Sequence, residues 1–213
     1  MYDKRILFLN SRILNLYLFG KYSNLRYIQK IFLNSLSVRF SIIRDTYLYN
    51  IRYKDYLDFR ISEKFYMAVN VKLNKFTSFK DYFFSYHKKL FSLFFSTPNL
   101  YVSFIQSIYN TLILPIVDFK CDRFSFGFRP YRSSLDLFVQ LKRVININSI
   151  FWSTTLRLNE SFSRNSLDKS IIIDKRYLNF INSKRFYLKT DHPLYFTLFN
   201  LSLSGLVRSL VNQ

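Results

Sequence analysis

Between Pro98 and Ile145 the apolar positions recur twice at helical spacing. Leu100, Phe104, Ile105, Ile108, Tyr109 and Leu112 share one face of a 3.6-residue period. Thr97 can cap that helix, Pro98 suits its first position and Pro115 is expected to end it. A second helix is predicted to start at Ser133 or Ser134, whose hydroxyl can cap the first turn with Asp136 nearby. Leu137, Phe138, Leu141, Val144 and Ile145 form its apolar stripe. Upstream, residues 22–90 alternate basic and aromatic positions, as in IRYKDYLDFRISEKFY, and read as mainly helical with short irregular joins. No internal repeat and no Pro/Gly/Ser-rich linker marks a domain boundary. The working division is therefore a basic, aromatic region over 1–97 and a second region over 98–213.

The two predicted helices flank FSFGFRPYRSS. Gly127 offers a backbone freedom that the bulky residues beside it lack and is expected at a turn position needing positive φ. Pro130 fixes its own torsion and pushes Arg129 toward an extended conformation. Arg129 and Arg132 are thereby held at a helix N-terminus, where backbone N–H groups and the helix dipole favour an anion. Two readings follow. In one the arginines clamp a phosphate, and in the other they tie the connector to carbonyls or to Asp118, Asp122 or Asp136.

Charge shifts the weight toward a polyanionic partner. The chain of 213 residues has 32 Lys+Arg against 13 Asp+Glu, a net +19. The excess is not a tail, because residues 1–97 carry 17 basic and 6 acidic side chains and residues 98–213 carry 15 and 7. A surplus spread this evenly suits a broad phosphate-tracking surface on nucleic acid or an acidic membrane. Hydrophobic residues at 49% are enough for a packed core. The single cysteine, Cys121, excludes an internal disulfide and reads as a small buried thiol; His87 and His192 have no second ligand at metal spacing. Leu90 to Val117 carries no charged side chain and is long enough to span a bilayer. Its Ser, Asn and Gln residues and the prolines near both ends argue against a span. The opening KRILFLNSRILNLYLFGK has the composition of a targeting segment. Alanine occurs once, at Ala68, and residues with A/T-rich codons dominate, the imprint of an AT-rich organellar genome that would make an import signal unnecessary.

The stretch PNLYVSFIQSIYNTLILPIVDFKCDRFSFGFRPYRSSLD, residues 98–136, resembles the second conserved reverse-transcriptase block of group II intron-encoded reverse transcriptase/maturases. In that family a proline opens a helix bearing a glutamine, a Pro-Ile ends it, and Ser-Tyr-Gly-Phe-Arg-Pro-Gly-Arg-Ser follows. Pro98, Gln106, Pro115, Ile116, Ser125, Gly127, Phe128, Arg129, Pro130, Arg132 and Ser133 match in register without a gap; Phe126 and Tyr131 replace the Tyr and the second Gly. Upstream, Leu93 stands where the family has a nucleotide-holding arginine, and HKKLFSLFF keeps Lys88 and Lys89 but no glycine. Downstream, Trp152, Phe162 and the run Asp174-Lys175-Arg176-Tyr177-Leu178 fit the start of the palm. However, Arg157 holds the place of the metal aspartate and Ser163 that of a second Asp. Nowhere do two acidic residues adjoin, so a Tyr-x-Asp-Asp motif is missing. SLSGLVRSLVN resembles the block just before that motif, so the chain is expected to stop as the catalytic palm would begin, with no maturase or endonuclease domain.

Nucleotidyl transfer needs carboxylates gathered around divalent cations, and this set of residues cannot supply them. The resemblance therefore implies an α+β, mainly helical, incomplete reverse-transcriptase fingers/palm-like fold, with fingers and a partial palm over 98–213. It implies a non-catalytic RNA-binding protein that assists group II-type intron splicing in an organelle, a plastid before a mitochondrion. No catalytic residue, cofactor, metal or small-molecule substrate is expected. The partner is intron or other organellar RNA, contacted by Arg129, Arg132, Lys88, Lys89, Lys142 and Arg143 on a framework set by Pro98, Gln106, Pro115, Gly127, Phe128, Pro130 and Ser133. A basic scaffold component of an organellar ribonucleoprotein, a decaying reading frame and a membrane-associated protein are the alternatives.

Overall fold

The computed structural model describes residues 2–51, 65, 68–69, 98–123, 125–127, 129–130, 132–145 and 192–204. Within them every regular element is a helix: α1 (Tyr2–Leu18), α2 (Tyr22–Asn34), α3 (Leu36–Ile51), α4 (Pro98–Lys120), α5 (Ser134–Val144) and α6 (Pro193–Leu203). The mainly helical expectation holds for these residues. Helix α4 lies against α1, α2 and α3 and also against α6, so the two regions of the chain share one core.

The apolar face expected of α4 is buried from Phe104 onward. Phe104, Ile105, Ile108, Tyr109 and Leu112 are buried, and Ile113, Ile116 and Val117 extend the face toward the C-terminus. Their partners include Leu9 and Ile13 of α1, Leu25, Phe32 and Leu33 of α2, Val38 and Ile42 of α3, and Leu194, Leu198 and Leu201 of α6. Gln106 is fully enclosed in the same helix.

Pro115 does not end α4, contrary to expectation; the helix continues to Lys120 with the proline inside it. A proline there has no N–H to give to the Thr111 carbonyl and crowds the preceding turn, at a cost of about 3 kcal/mol. Burying Ile116 and Val117, which are 2% and 3% exposed, returns roughly 1.5–3 kcal/mol each. Burial of the turn beyond the proline therefore offsets the break. This same helix overlaps the stretch read as long enough for a bilayer, and its apolar side faces protein. Among the described residues no helix is long and apolar enough to cross a membrane.

The first region folds around two tight joints. At the end of α1, the Gly20 N–H donates to the Tyr17 carbonyl at 3.1 Å and the Lys21 N–H to the Leu16 carbonyl at 3.0 Å. This pair is the Schellman closure, and it places Gly20 at φ 67°. Between α2 and α3 a single extended residue, Ser35, turns the chain. The buried Arg39 donates from Nε to the Leu33 carbonyl at 2.8 Å and from Nη1 to the Ala68 carbonyl at 2.9 Å. It satisfies an oxygen that the end of α2 would otherwise leave orphaned. The opening segment with the composition of a leader is thus a helix whose Leu9 and Ile13 are in the core.

Helix α6 is tied to α4 by polar rungs as well as by leucines. His192 caps it, its Nδ1 accepting from the Leu194 N–H at 3.1 Å, with Pro193 at the first turn. That bond fixes Nδ1 as the unprotonated nitrogen, so Nε2–H donates to Ser107 Oγ at 3.2 Å. One turn on, Thr197 Oγ1 donates to Asn110 Oδ1 at 2.7 Å.

Gly20 is the glycine whose backbone a side chain cannot copy. Gly20→Val should lower the unfolding free energy by about 1–3 kcal/mol through strain in the left-handed region, read as a reduced urea midpoint with an unchanged slope. An unaltered midpoint would mean that the α1–α2 joint adapts without the Schellman geometry.

Candidate nucleic-acid interface

The connector between α4 and α5 is shaped by guanidinium groups rather than by glycine. Arg129 Nε donates to Asp118 Oδ1 at 2.7 Å, Nη2 to the Asp118 carbonyl at 2.8 Å, and Nη1 to the carbonyls of Asp122 and Ser125 at 2.9 and 3.1 Å. Its side chain is 7% exposed. One planar fork thereby gathers the last turn of α4 and the loop after it, a task for which lysine has neither the geometry nor enough donors.

Arg132 is placed differently. Nη1 donates to the Arg123 carbonyl at 2.5 Å and, more weakly, to the Ser125 carbonyl at 3.4 Å, and the guanidinium lies 5.3 Å from the Phe126 ring centre. It is half-buried and leaves Nε and Nη2 uncommitted to any of these contacts. Of the two readings drawn from the sequence, tying of the connector describes Arg129, while Arg132 ties the loop and keeps donors to spare.

The anion position at the start of α5 is already filled. Ser133 caps the helix: the Asp136 N–H donates to Ser133 Oγ at 3.3 Å, and Asp136 Oδ2 accepts from the Ser133 N–H at 2.7 Å and from its hydroxyl at 2.9 Å. This is a capping box, and it goes beyond the serine cap expected from the sequence. The Asp136 carboxylate therefore sits on the helix N-terminus, where it serves the backbone and hydroxyl of Ser133. The backbone N–H donation from Ser133, then its hydroxyl, hold the Asp136 carboxyl below its ordinary value of 3.8.

Gly127 also needs correction. It is exposed, its φ lies outside the left-handed region, and an added Cβ would meet open space. Of the two described glycines, Gly20 is the one in the left-handed region. What Gly127 contributes is a carbonyl, which accepts from Asn200 Nδ2 at 2.7 Å and so anchors α6 to the connector. Pro130, Arg129, Val117, Cys121 and Asn200 line a crevice behind the loop that is too tight to admit a ligand. Burial there raises the Cys121 thiol above its ordinary value of 9.0, leaving it an inert packing group.

Helix α5 projects from this anchored loop. Its predicted stripe exists but is not packed away: Leu137, Phe138, Leu141 and Ile145 are exposed, as are Leu135 and Val139. Lys142 and Arg143 are exposed in its last turn, where their charge also complements the helix dipole. Lys88, Lys89 and Phe128, with the palm-like positions Trp152, Arg157, Phe162, Ser163 and Asp174 to Leu178, lie outside the described residues. Among the described residues no three His, Cys, Asp or Glu side chains converge in a way that could hold a metal.

The two arginines differ in what their loss should cost. Arg129→Gln should cost about 2–4 kcal/mol, because it strands three carbonyls and the Asp118 carboxylate. Arg132→Gln should cost about 1 kcal/mol or less. Equal losses in chemical denaturation would contradict this division. The cap gives a pH signature with a definite sign. The folded carboxyl of Asp136 titrates below 3.8, so its contribution is complete above that pH and disappears as pH falls through the lower, folded value. Far-ultraviolet circular dichroism of Asp136→Asn should show less helix at pH 7, and the difference from the parent should shrink as the pH is lowered past that value.

No family model, curated protein or solved structure matches the chain, and what it does has to be read from its own side chains.

Proposed function

We propose that the chain is a reduced, maturase-like RNA-binding protein of an organelle, plastid before mitochondrion, that assists group II-type intron splicing without extending a primer. The observation that carries RNA binding is the fate of the cations. Between Lys4 and Arg44 there is no acidic residue, and Lys4, Arg5, Arg12, Lys21, Arg26 and Lys30 all lie exposed on α1, α2 and the turn between them. Six such charges on one hairpin repel each other, and a row of phosphates relieves that repulsion while releasing condensed counterions.

The intron-specific part rests on the register of residues 98–136 and on the chemistry of that segment. A proline-initiated helix, an arginine-stapled connector and a serine-capped helix follow one another there, and such a unit would orient neighbouring surfaces on a folded RNA. The reverse-transcriptase fingers/palm likeness belongs to this proposal, as does the absence of polymerisation, which follows from arginine and serine at the two aspartate positions. Arg129, being spent inside the loop, supports a second reading, that the motif is inherited architecture in a basic scaffold component of an organellar ribonucleoprotein.

Recovery of the native protein from organelle extract, with sequencing of the RNA bound to it, separates the two. Enrichment of group II intron sequence is expected; ribosomal RNA alone would favour the scaffold. Purified protein should bind an intron transcript with affinity falling steeply with salt, by about 0.7 log units per log unit of salt for each single-strand phosphate contacted. A template-primer assay with Mg²⁺ or Mn²⁺ should yield no extension. A flat salt response would remove the polyanion argument.

A further inference from the structure

We propose that the solvent face of the α1–α2 hairpin is a single-stranded RNA platform, in which Arg12, Arg26 and Lys30 track phosphates and Phe8 and Tyr27 offer rings to unpaired bases. It rests on the RNA-binding reading above and assigns the surface that does the work.

Two stripes carry the assignment. On α1, Lys4, Phe8 and Arg12 follow one another at four-residue spacing and all are exposed, with Phe8 53% accessible and the Arg12 guanidinium 5.6 Å from its ring centre. On α2, Tyr22, Arg26 and Lys30 repeat the spacing, and Tyr27 beside them is 65% accessible. Residues four apart lie one above the other on a helix, so each stripe is a continuous run of cation and ring. The turn that joins them adds Phe19, 75% accessible, and Lys21. None of these cations has an acidic neighbour within the hairpin beyond Asp3 at its start.

The mixture of charges and rings selects the ligand. Cations alone would fit any polyanion, but large aromatic side chains left in water beside them match the stacking of splayed bases on Phe and Tyr. Duplex RNA keeps its bases stacked internally and has no use for the rings. An acidic membrane needs one uninterrupted apolar helix face. On α1 that face, Leu9 and Ile13 with Ile6, Leu16 and Tyr17 beside them, is spent on the core, and the exposed Leu7 and Leu18 are separated from Phe8 by the line of Lys4, Ser11 and Asn15.

The test uses the full chain and four probes: an oligouridylate of about 20 nucleotides, a duplex RNA of equal length, phosphatidylglycerol vesicles and an intron transcript. The triple variant Arg12→Gln/Arg26→Gln/Lys30→Gln should bind the oligouridylate roughly 50-fold more weakly at 0.15 M salt, the counterion contribution of three phosphate contacts, with a log–log slope shallower by about 2. Phe8→Ala/Tyr27→Ala should weaken single-strand binding and leave duplex binding unchanged, with both variants melting like the parent. Arg123→Gln, an exposed cation outside the hairpin, should bind like the parent. A triple variant that keeps parental affinity while the parent binds RNA would overturn the platform and leave the RNA-binding function standing. Failure of the parent to bind any RNA would remove both. Tighter binding to duplex or vesicles than to the oligouridylate, or an equal loss of affinity from Arg123→Gln alone, would also refute the assignment.

Discussion

Everything in the described fold depends on keeping α4 out of water. Along one side of this helix Phe104, Ile108, Tyr109, Leu112 and Ile113 have no accessible surface, and no single neighbour is wide enough to cover them. Helices α1, α2 and α3 close over one side and α6 over another. Polar side chains then set the register where leucines alone would slide: Ser107 meets His192 and Asn110 meets Thr197, one turn apart on both helices. A buried polar pair out of register would leave donors and acceptors unmatched at about 1–3 kcal/mol each, so two rungs specify one alignment of α6.

The same economy explains the connector. A loop leaving a buried helix must satisfy the carbonyls of its last turn, and Arg129 does so with a fork whose charge is balanced by Asp118 in the same turn. The pair is partly sheltered, the arginine at 7% and the carboxylate at 38% exposure. The desolvation of Arg129 is thus compensated by hydrogen bonds on several sides, the condition under which a buried ion pair holds rather than weakens a fold. Asn200 then takes the Gly127 carbonyl. Helices α4 and α6 and the loop between α4 and α5 form one clamp, and α5 leaves it with its cap self-contained.

Local grammar made part of this legible from sequence. The face of α4 and the serine cap of α5 are encoded within a few residues, so periodicity and capping found them. Long-range contacts were not legible. Pro115 reads as a stop, and only the burial of Ile116 and Val117 against other helices lets α4 run through it. Gly127 sits amid bulky residues and reads as the hinge, whereas among the described glycines the one at positive φ is Gly20, five residues after Asn15 and with no helix-breaking signal around it except itself. Arg39 resembles any other basic residue of the first region, and its partners at Leu33 and Ala68 cannot be seen without the fold. His192 reads as a solitary histidine and is a helix cap.

A chain with this much positive charge must divide its cations between two tasks. Arg39 and Arg129 point inward and end on carbonyls, where guanidinium donors replace water around backbone oxygens. Lys4, Arg5, Arg12, Lys21, Arg26 and Lys30 point outward, with no carboxylate among them to discharge the hairpin. Folding gathers these outward charges onto one pair of helices and raises their mutual repulsion, a cost that the core must carry when the protein is alone. A bound polyanion removes that cost, so the surface least favourable to the isolated fold is the one a phosphate chain stabilises most. The inward arginines have no such dependence, since their charge is matched by groups of the protein itself.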